Sequence, residues 1–392
     1  MPAPVAVEMP PQAPPAPSTY REVAPILARR CLGCHVQGGV GPFPLETFEE
    51  AQRHHAAIAS AVVARVMPPW LPAEGCQTFT DSRHLSDAEI DVLRSWSDNG
   101  AARGESAPAA LAPASRKLAW VDDVIDIGGD YVAQPAQGPA DDWRCFLMDP
   151  KLTEDKTIIG YDLEPTVRAS VHHAGFVDAP IDSALAVDAE TPEPGWPCPG
   201  SVGVPASRVL GSWASGYGAT EYPSGTGMTL AKGRGLVIQI HYHQHDLTKP
   251  PVPDRTKISL QYARAPVKEA EYLGISVGTI TLPPRSSGTT LGATHVLGRD
   301  SILQGLVGHM HLFGRTLHLQ VTDGNRSSCL MDIPKWNYRW EEMLFLEKPV
   351  LLPAGSILDL TCTWDNPSDR TVEGGLTLEG EMCDLGFVVT PR

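Results

Sequence analysis

Proline and glycine punctuate this chain so closely that long helices have little room. Of 392 residues, 37 are Pro and 36 are Gly. Proline removes an amide donor and fixes φ, while glycine supplies turn conformations. Between these breaks, from about Lys117 onward, lie short alternating runs. Leu236–His243 reads LVIQIHYH, Leu317–Val321 reads LHLQV and Ser356–Thr363 reads SILDLTCT. A period of two places alternate side chains on opposite faces of a strand. The chain is therefore expected to be mostly β, in sandwich or jelly-roll sheets. Its length suits two to three domains at roughly 150 residues each. Lys and Arg total 31 against 46 Asp and Glu, a net charge of −15. An acidic chain without a basic cluster argues against nucleic-acid or anionic-membrane binding. No apolar run approaches the roughly 18–20 residues of a transmembrane segment.

Residues 1–19 are Pro/Ala-rich and read as a tether, without the charged and apolar regions of an export signal. Behind them stands Cys31-Leu32-Gly33-Cys34-His35. In a C-x-x-C-H motif the two thiols add to the haem vinyl groups and the adjacent histidine becomes an axial ligand. A redox or zinc CxxC needs no histidine at that position. Helical patterns flank the motif. One covers Tyr20 to Arg30 and a second about Leu45 to Val66. A third runs from the capping box Ser86-x-x-Glu89 to Gly100. Three helices around this motif resemble a small class I cytochrome c domain, placed at 20–103. Met67 follows His35 by 32 residues, beside two prolines, and is the expected sixth haem ligand. Its alternative is a core-filling methionine, and His54, His55 and His84 are rival ligands. Residues 104–117 read as a linker. Haem attachment and an oxidised set of cysteines both require an oxidising compartment. A periplasmic or secreted bacterial protein is expected, with its export signal trimmed.

Four later elements carry metal-ligand chemistry. They are His172-His173, His241 in His-Tyr-His-Gln-His245, His309-Met310-His311, and Met382 in Gly380-Glu-Met-Cys-Asp384. On a strand, positions i and i+2 share a face, so His309 and His311 can hold one ion. Imidazole suits copper, zinc or iron, and an added thioether biases the site toward copper. Adjacent His172 and His173 would point opposite ways on a regular strand, so a bulge is required to bring them together.

The order of these elements resembles the copper type II, ascorbate-dependent monooxygenases. The resemblance covers roughly 142–392. It rests on Trp143-Arg-Cys145-Phe, His172-His173, Gly195-Trp-Pro-Cys198, Leu210-Gly-Ser-Trp213, Val237-Ile-Gln-Ile-His241-Tyr, His309-x-His311 and Glu381-Met-Cys383, in that order. It implies two jelly-roll domains, at 118–268 and 269–392, facing each other across a cleft. The first would hold an electron-transfer copper on His172, His173 and His241. The second would hold an oxygen-activating copper on His309, His311 and Met382. It further implies disulfides Cys145–Cys198 and Cys362–Cys383. Cys76 and Cys329 are left open, paired or free. His243, His245, His295 and His318 are read as non-ligands, and Met310 as a core residue.

The site departs from the peptidylglycine-hydroxylating members of that family. Val307 stands where they carry an arginine that grips the substrate carboxylate, and Asp384 and Gly386 replace an asparagine and a tyrosine. The missing clamp argues against a C-terminal glycine peptide as substrate. Asp384 suits a cationic or hydroxyl-bearing molecule instead. The resulting expectation is a copper monooxygenase that hydroxylates a small organic substrate with O2. Electrons would arrive from a redox partner or small reductant through the fused haem. The competing expectations are a haem and copper electron-transfer or metal-binding protein without oxygenase activity, or a nitrogen-oxide enzyme.

Overall fold

The computed structural model describes residues 18–114, 116–134, 141–205, 208–244, 248, 250–375 and 380–392. Most of the tether and His245 lie outside the described residues. Helices occupy Tyr20–Arg30, Phe48–Arg53, His55–Val63 and Asp87–Asp98. The last starts at the expected capping box. Ser86 Oγ accepts from the Glu89 amide at 3.2 Å, and Glu89 Oε2 accepts from the Ser86 amide at 2.9 Å. The expected second helix is two helices. Its continuity ends at His54, whose backbone leaves the helical region (φ −107°, ψ 11°) and whose ring stacks on Phe43 at 3.9 Å. This tertiary contact accompanies a break that no Gly or Pro announces. Tyr20, Leu27, Leu32, Leu93 and Trp96 are fully buried in the helical core. Leu32, inside the CxxCH motif, thus anchors the motif to the helices.

The rest is strand, with one short helix, Ile181–Asp188, that periodicity did not anticipate. A five-stranded sheet runs in the order Trp196–Pro197, Asp141–Met148, Arg234–His243, Val171–Pro180, Arg208–Ala214. A second sheet contains Lys257–Tyr262, Lys156–Glu164 and Thr226–Leu230. Phe146, Phe176 and Ile240 from the first pack with Ile158, Tyr161 and Leu260 from the second. Further along the chain, one four-stranded sheet orders Glu271–Ser276, Cys383–Pro391, Ser301–Met310 and Leu344–Leu352. Another orders Ser286–Val296, Ile357–Asn366, Gly314–Asp323 and Arg326–Ile333. In Ile357–Asn366 every second residue from Leu358 is buried, which is the period-two pattern realised. The two β cores meet where Phe345 and Val388 enter the first one.

The expected linker is laid down rather than loose. The Leu111 amide donates to the Glu46 carbonyl at 2.7 Å, and that of Ala114 to the Ala28 carbonyl at 3.2 Å. The helical part is also bound to the last sheets. The Thr80 amide donates to the Phe345 carbonyl (2.8 Å) and the Glu347 amide to the Thr78 carbonyl (2.9 Å), so residues 78–80 extend a sheet edge. Cys76 and Cys329, open in the sequence, form a disulfide across the same junction. Cys145–Cys198 and Cys362–Cys383 are bonded as the resemblance implied. Among the described residues Cys31 and Cys34 are the free thiols. Among the described residues no helix is long and apolar enough to cross a membrane.

Candidate metal centres

The strand Val171–Pro180 pairs with Arg234–His243 through an irregular step. Val171 faces Tyr242 and His173 faces His241, so His172 is the extra residue of a bulge. The bulge turns both neighbouring imidazoles toward the same place. His172 and His173 bring their Nδ1 atoms to 3.1 Å. With His241 they form a cluster whose ligand atoms all lie within 4.8 Å of one another. His241 Nε2 lies 2.8 Å from Asp141 Oδ1, and its Nδ1 is buried with no hydrogen-bond partner. A carboxylate only accepts, so Nε2 carries the proton and Nδ1 is the lone pair turned inward. An orphaned buried nitrogen between two other imidazoles fits a metal-binding site. Trp143 stacks on His241 at 4.1 Å and holds the ring in place. Burial, and then the neighbouring His241, His172 and His309, hold His173 well below the usual histidine pKa. It is therefore neutral at physiological pH, as a ligand must be. His243 shares Asp141 with His241, its Nδ1 lying 2.7 Å from the same oxygen. Burial tends to raise the Asp141 pKa, but its bonds to the two histidines win and bring it down to about 2.

The second group sits on the other pair of sheets. His309 faces Asp384 and Met310 faces Cys383 in the register of Ser301–Met310 with Cys383–Pro391. That pairing carries Met382, just before the second strand, beside His309 and His311. The Cys362–Cys383 bond ties the turn to the neighbouring sheet. Each histidine is held by its Nδ1. His309 Nδ1 lies 2.7 Å from Glu341 Oε2, and His311 Nδ1 lies 3.0 Å from the Gly380 carbonyl oxygen. Both partners are acceptors, so each Nδ1 carries a proton, and in the neutral ring Nε2 offers the lone pair that could take a metal. Burial acts to lower the His309 pKa, but Glu341, with Asp384 and Glu381 behind it, lifts it to about 9, so this ring would have to release a proton to take a metal. Met310 is fully buried, as expected of a core residue.

A cavity of about 340 Å³ joins the two groups. Its lining includes Trp143, His173, His309, His311, Met382 and Asp384. Among the described residues no Lys or Arg lines it, whereas Glu341 and Asp384 do.

A larger cavity, about 760 Å³, lies against the helical part and is lined by Cys31, Cys34, His35 and Met67. His35 Nδ1 lies 2.9 Å from the Phe43 carbonyl oxygen, so Nδ1 carries the proton and Nε2 holds the lone pair. Burial, only partly opposed by that carbonyl, lowers the His35 pKa. Met67 is 38% exposed and faces this space, which removes the core-filling alternative. His54, His55 and His84 do not line it. Burial pushes the Cys31 thiol up to about 12. Redox-active CxxC thiols are marked by a depressed pKa, and this thiol is shifted the other way. The far wall of this cavity contains His172 and Trp340.

Several partners carried no sequence signal. Glu341 and Asp141 belong to an abundant residue type, and only the fold sets them against a histidine. Glu342 receives two hydrogen bonds from buried Arg83, at 2.9 and 3.1 Å, and joins the helical part to the loop bearing Glu341.

Residues 298–388 match the family model of the copper type II ascorbate-dependent monooxygenase, C-terminal domain. This stretch contains His309 and His311 as well as Met382. The chain is also similar to the tyramine beta-hydroxylase of Caenorhabditis briggsae, at 25% identity over 194 residues. That alignment covers 45% of this chain and 33% of the relative, so the chain spans about a third of the curated relative's length. Both matches support a copper monooxygenase. Among solved structures, the infectious bursal disease virus VP2 subviral particle has a TM-score of 0.21 and 11% identity, covering 69% of this chain and 67% of that chain. The major capsid protein P2 of bacteriophage PM2 has a TM-score of 0.28 and 9% identity, covering 68% of this chain and 97% of that chain. Likeness at that level carries no argument about this site.

Proposed function

We propose that the chain is a copper-dependent monooxygenase that hydroxylates a C–H bond of a small organic substrate, with electrons supplied through a covalently attached haem. The balance is R–H plus O2, two electrons and two protons, giving R–OH and water. One observation carries the reading: His173 of a three-imidazole group lines the same 340 Å³ cavity as His309, His311 and Met382. His172, His173 and His241 would hold one copper; His309, His311 and Met382 would hold the other. Copper supplies one-electron chemistry and O2 activation, and the thioether favours its reduced form. The chain's own residues do the rest. Glu341 and the Gly380 carbonyl hold the two imidazoles in one tautomer, and Trp143 fixes His241. Asp384, in a cavity wall where no described residue is Lys or Arg, would bind the cationic or hydroxyl end of the substrate. The tyramine of the relative's name is such a molecule.

In the same reading, residues 20–103 form a cytochrome c-like domain, and 118–268 and 269–392 two jelly-roll domains. Cys31, Cys34, His35 and Met67 hold the haem, which supplies single electrons taken from a redox partner or small reductant. Three disulfides fit an oxidising compartment, periplasmic or secreted. An electron-transfer protein without oxygenase activity is the second reading. The presence of all six ligand positions, four of them on one cavity, disfavours it.

The test is optical. Haem-loaded protein, with and without copper, is reduced anaerobically and mixed with O2 while haem absorbance is followed. Fast reoxidation that needs copper and slows on His309→Ala or Met382→Ala supports the reading. Reoxidation indifferent to copper sinks it.

A further inference from the structure

The three-histidine cluster opens on two different spaces. His172 lines the cavity that holds Cys31, Cys34 and His35, whereas His173 lines the cavity that holds His309, His311 and Met382. His241, 2% exposed, lines neither. The cluster therefore has polarity: one ligand faces the haem motif and another the oxygen site. We propose that the electron reaches this copper through His172, with Trp340 as the residue that couples the haem side to it, and leaves on the His173 side. The proposal rests on the haem and copper reading above.

Trp340 is placed for this. Its ring lies 5.6 Å from that of His172, and it lines the haem-motif cavity. The next two residues anchor the chain that follows it: Glu341 bonds His309, and Glu342 accepts from Arg83. Arg83 itself sits 5.9 Å from the Trp340 ring. A large conjugated side chain pinned between two redox sites shortens the gap an electron must cross. The step is a single electron transfer. Ferrous haem iron becomes ferric as the cupric ion on His172, His173 and His241 becomes cuprous; no bond breaks and no proton moves. Trp340 acts here as a positioning and coupling residue and binds neither group.

The experiment uses the full chain with covalent haem and bound Cu(II), without O2. A laser pulse on a free flavin reduces the haem, and haem absorbance then follows its reoxidation by the bound copper. Wild type should reoxidise in a first-order phase independent of protein concentration. Trp340→Leu should slow that phase by at least about tenfold, and Trp340→Phe should fall between. The haem spectrum and copper content should be unchanged in both, which a general structural loss would not allow. Equal rates in wild type and Trp340→Leu overturn the proposal while the haem and copper reading stands. Wild type with both groups bound but no such phase overturns it as well. Protein that carries no covalent haem overturns the haem reading itself, and this proposal with it.

Discussion

At the scale of single residues, candidate metal ligands are legible because few side chains can do their chemistry. His172, His173, His241, His309, His311 and Met382 stand out in a chain with 13 histidines and 9 methionines. The residues that hold them do not stand out. Glu341 is one of 46 acidic residues, and only the folded chain sets it 2.7 Å from His309. Losing such an outer partner typically costs about 10–100-fold in metal affinity. Glu341→Gln should weaken copper at the His309/His311/Met382 group by that order, with the three-histidine group unaffected. Chelator competition with metal analysis measures this, and equal affinity in the variant would show that Glu341 does not orient the ligand. His173→Ala should leave one copper per chain instead of two, by the same analysis.

At the scale of elements, alternation was a sound guide to strands, since burial of one face is a local property of the pattern. The His172 bulge was legible only as a requirement; the register that creates it comes from the partner strand. The helix break at His54 and the helix Ile181–Asp188 had no local signal. One strand carries a pH-dependent cost. Burial, and then Glu164, raise the Asp162 carboxyl on Lys156–Glu164 to about 6. The unfolded chain releases that proton nearer the ordinary 3.8. Between these values the native state binds more protons, so stability contributed by this group falls as pH rises through the window. Asp162→Asn should raise Tm at pH 7 and give no gain at pH 4. Thermal scans at the two pH values check this, and a gain of equal size at both would refute the assignment.

At the scale of the molecule, the helical part is fastened rather than tethered. Residues 104–117 read as a linker, but Cys76–Cys329, the shared sheet edge and Arg83–Glu342 hold the helical part in one place. Removing the disulfide with Cys76→Ser/Cys329→Ser should cost about 2–5 kcal/mol. It should also speed proteolysis between residues 100 and 117, as read by gel and mass spectrometry. Arg83→Met would leave Glu342 buried and unpaired at that junction. The expected loss is about 3–5 kcal/mol, largely recovered in Arg83→Met/Glu342→Met, because two apolar residues need no partner. Denaturant unfolding decides, and a double variant as weak as the single one would contradict the account.

The sequence by itself determined which chemistry the chain carries. The CxxCH motif, the His-x-His pair, the alternating strands and the charge balance are local facts, readable because each depends on residue type and short spacing. Tertiary structure alone decided how those pieces face one another. It paired Cys76 with Cys329 and set Asp141 and Glu341 behind their histidines. It also placed His172 in the wall of the haem-motif cavity, opposite the face that meets the second group. Each of these joins residues far apart along the chain, and such contacts follow from the packing of whole sheets, which no short window of residues contains.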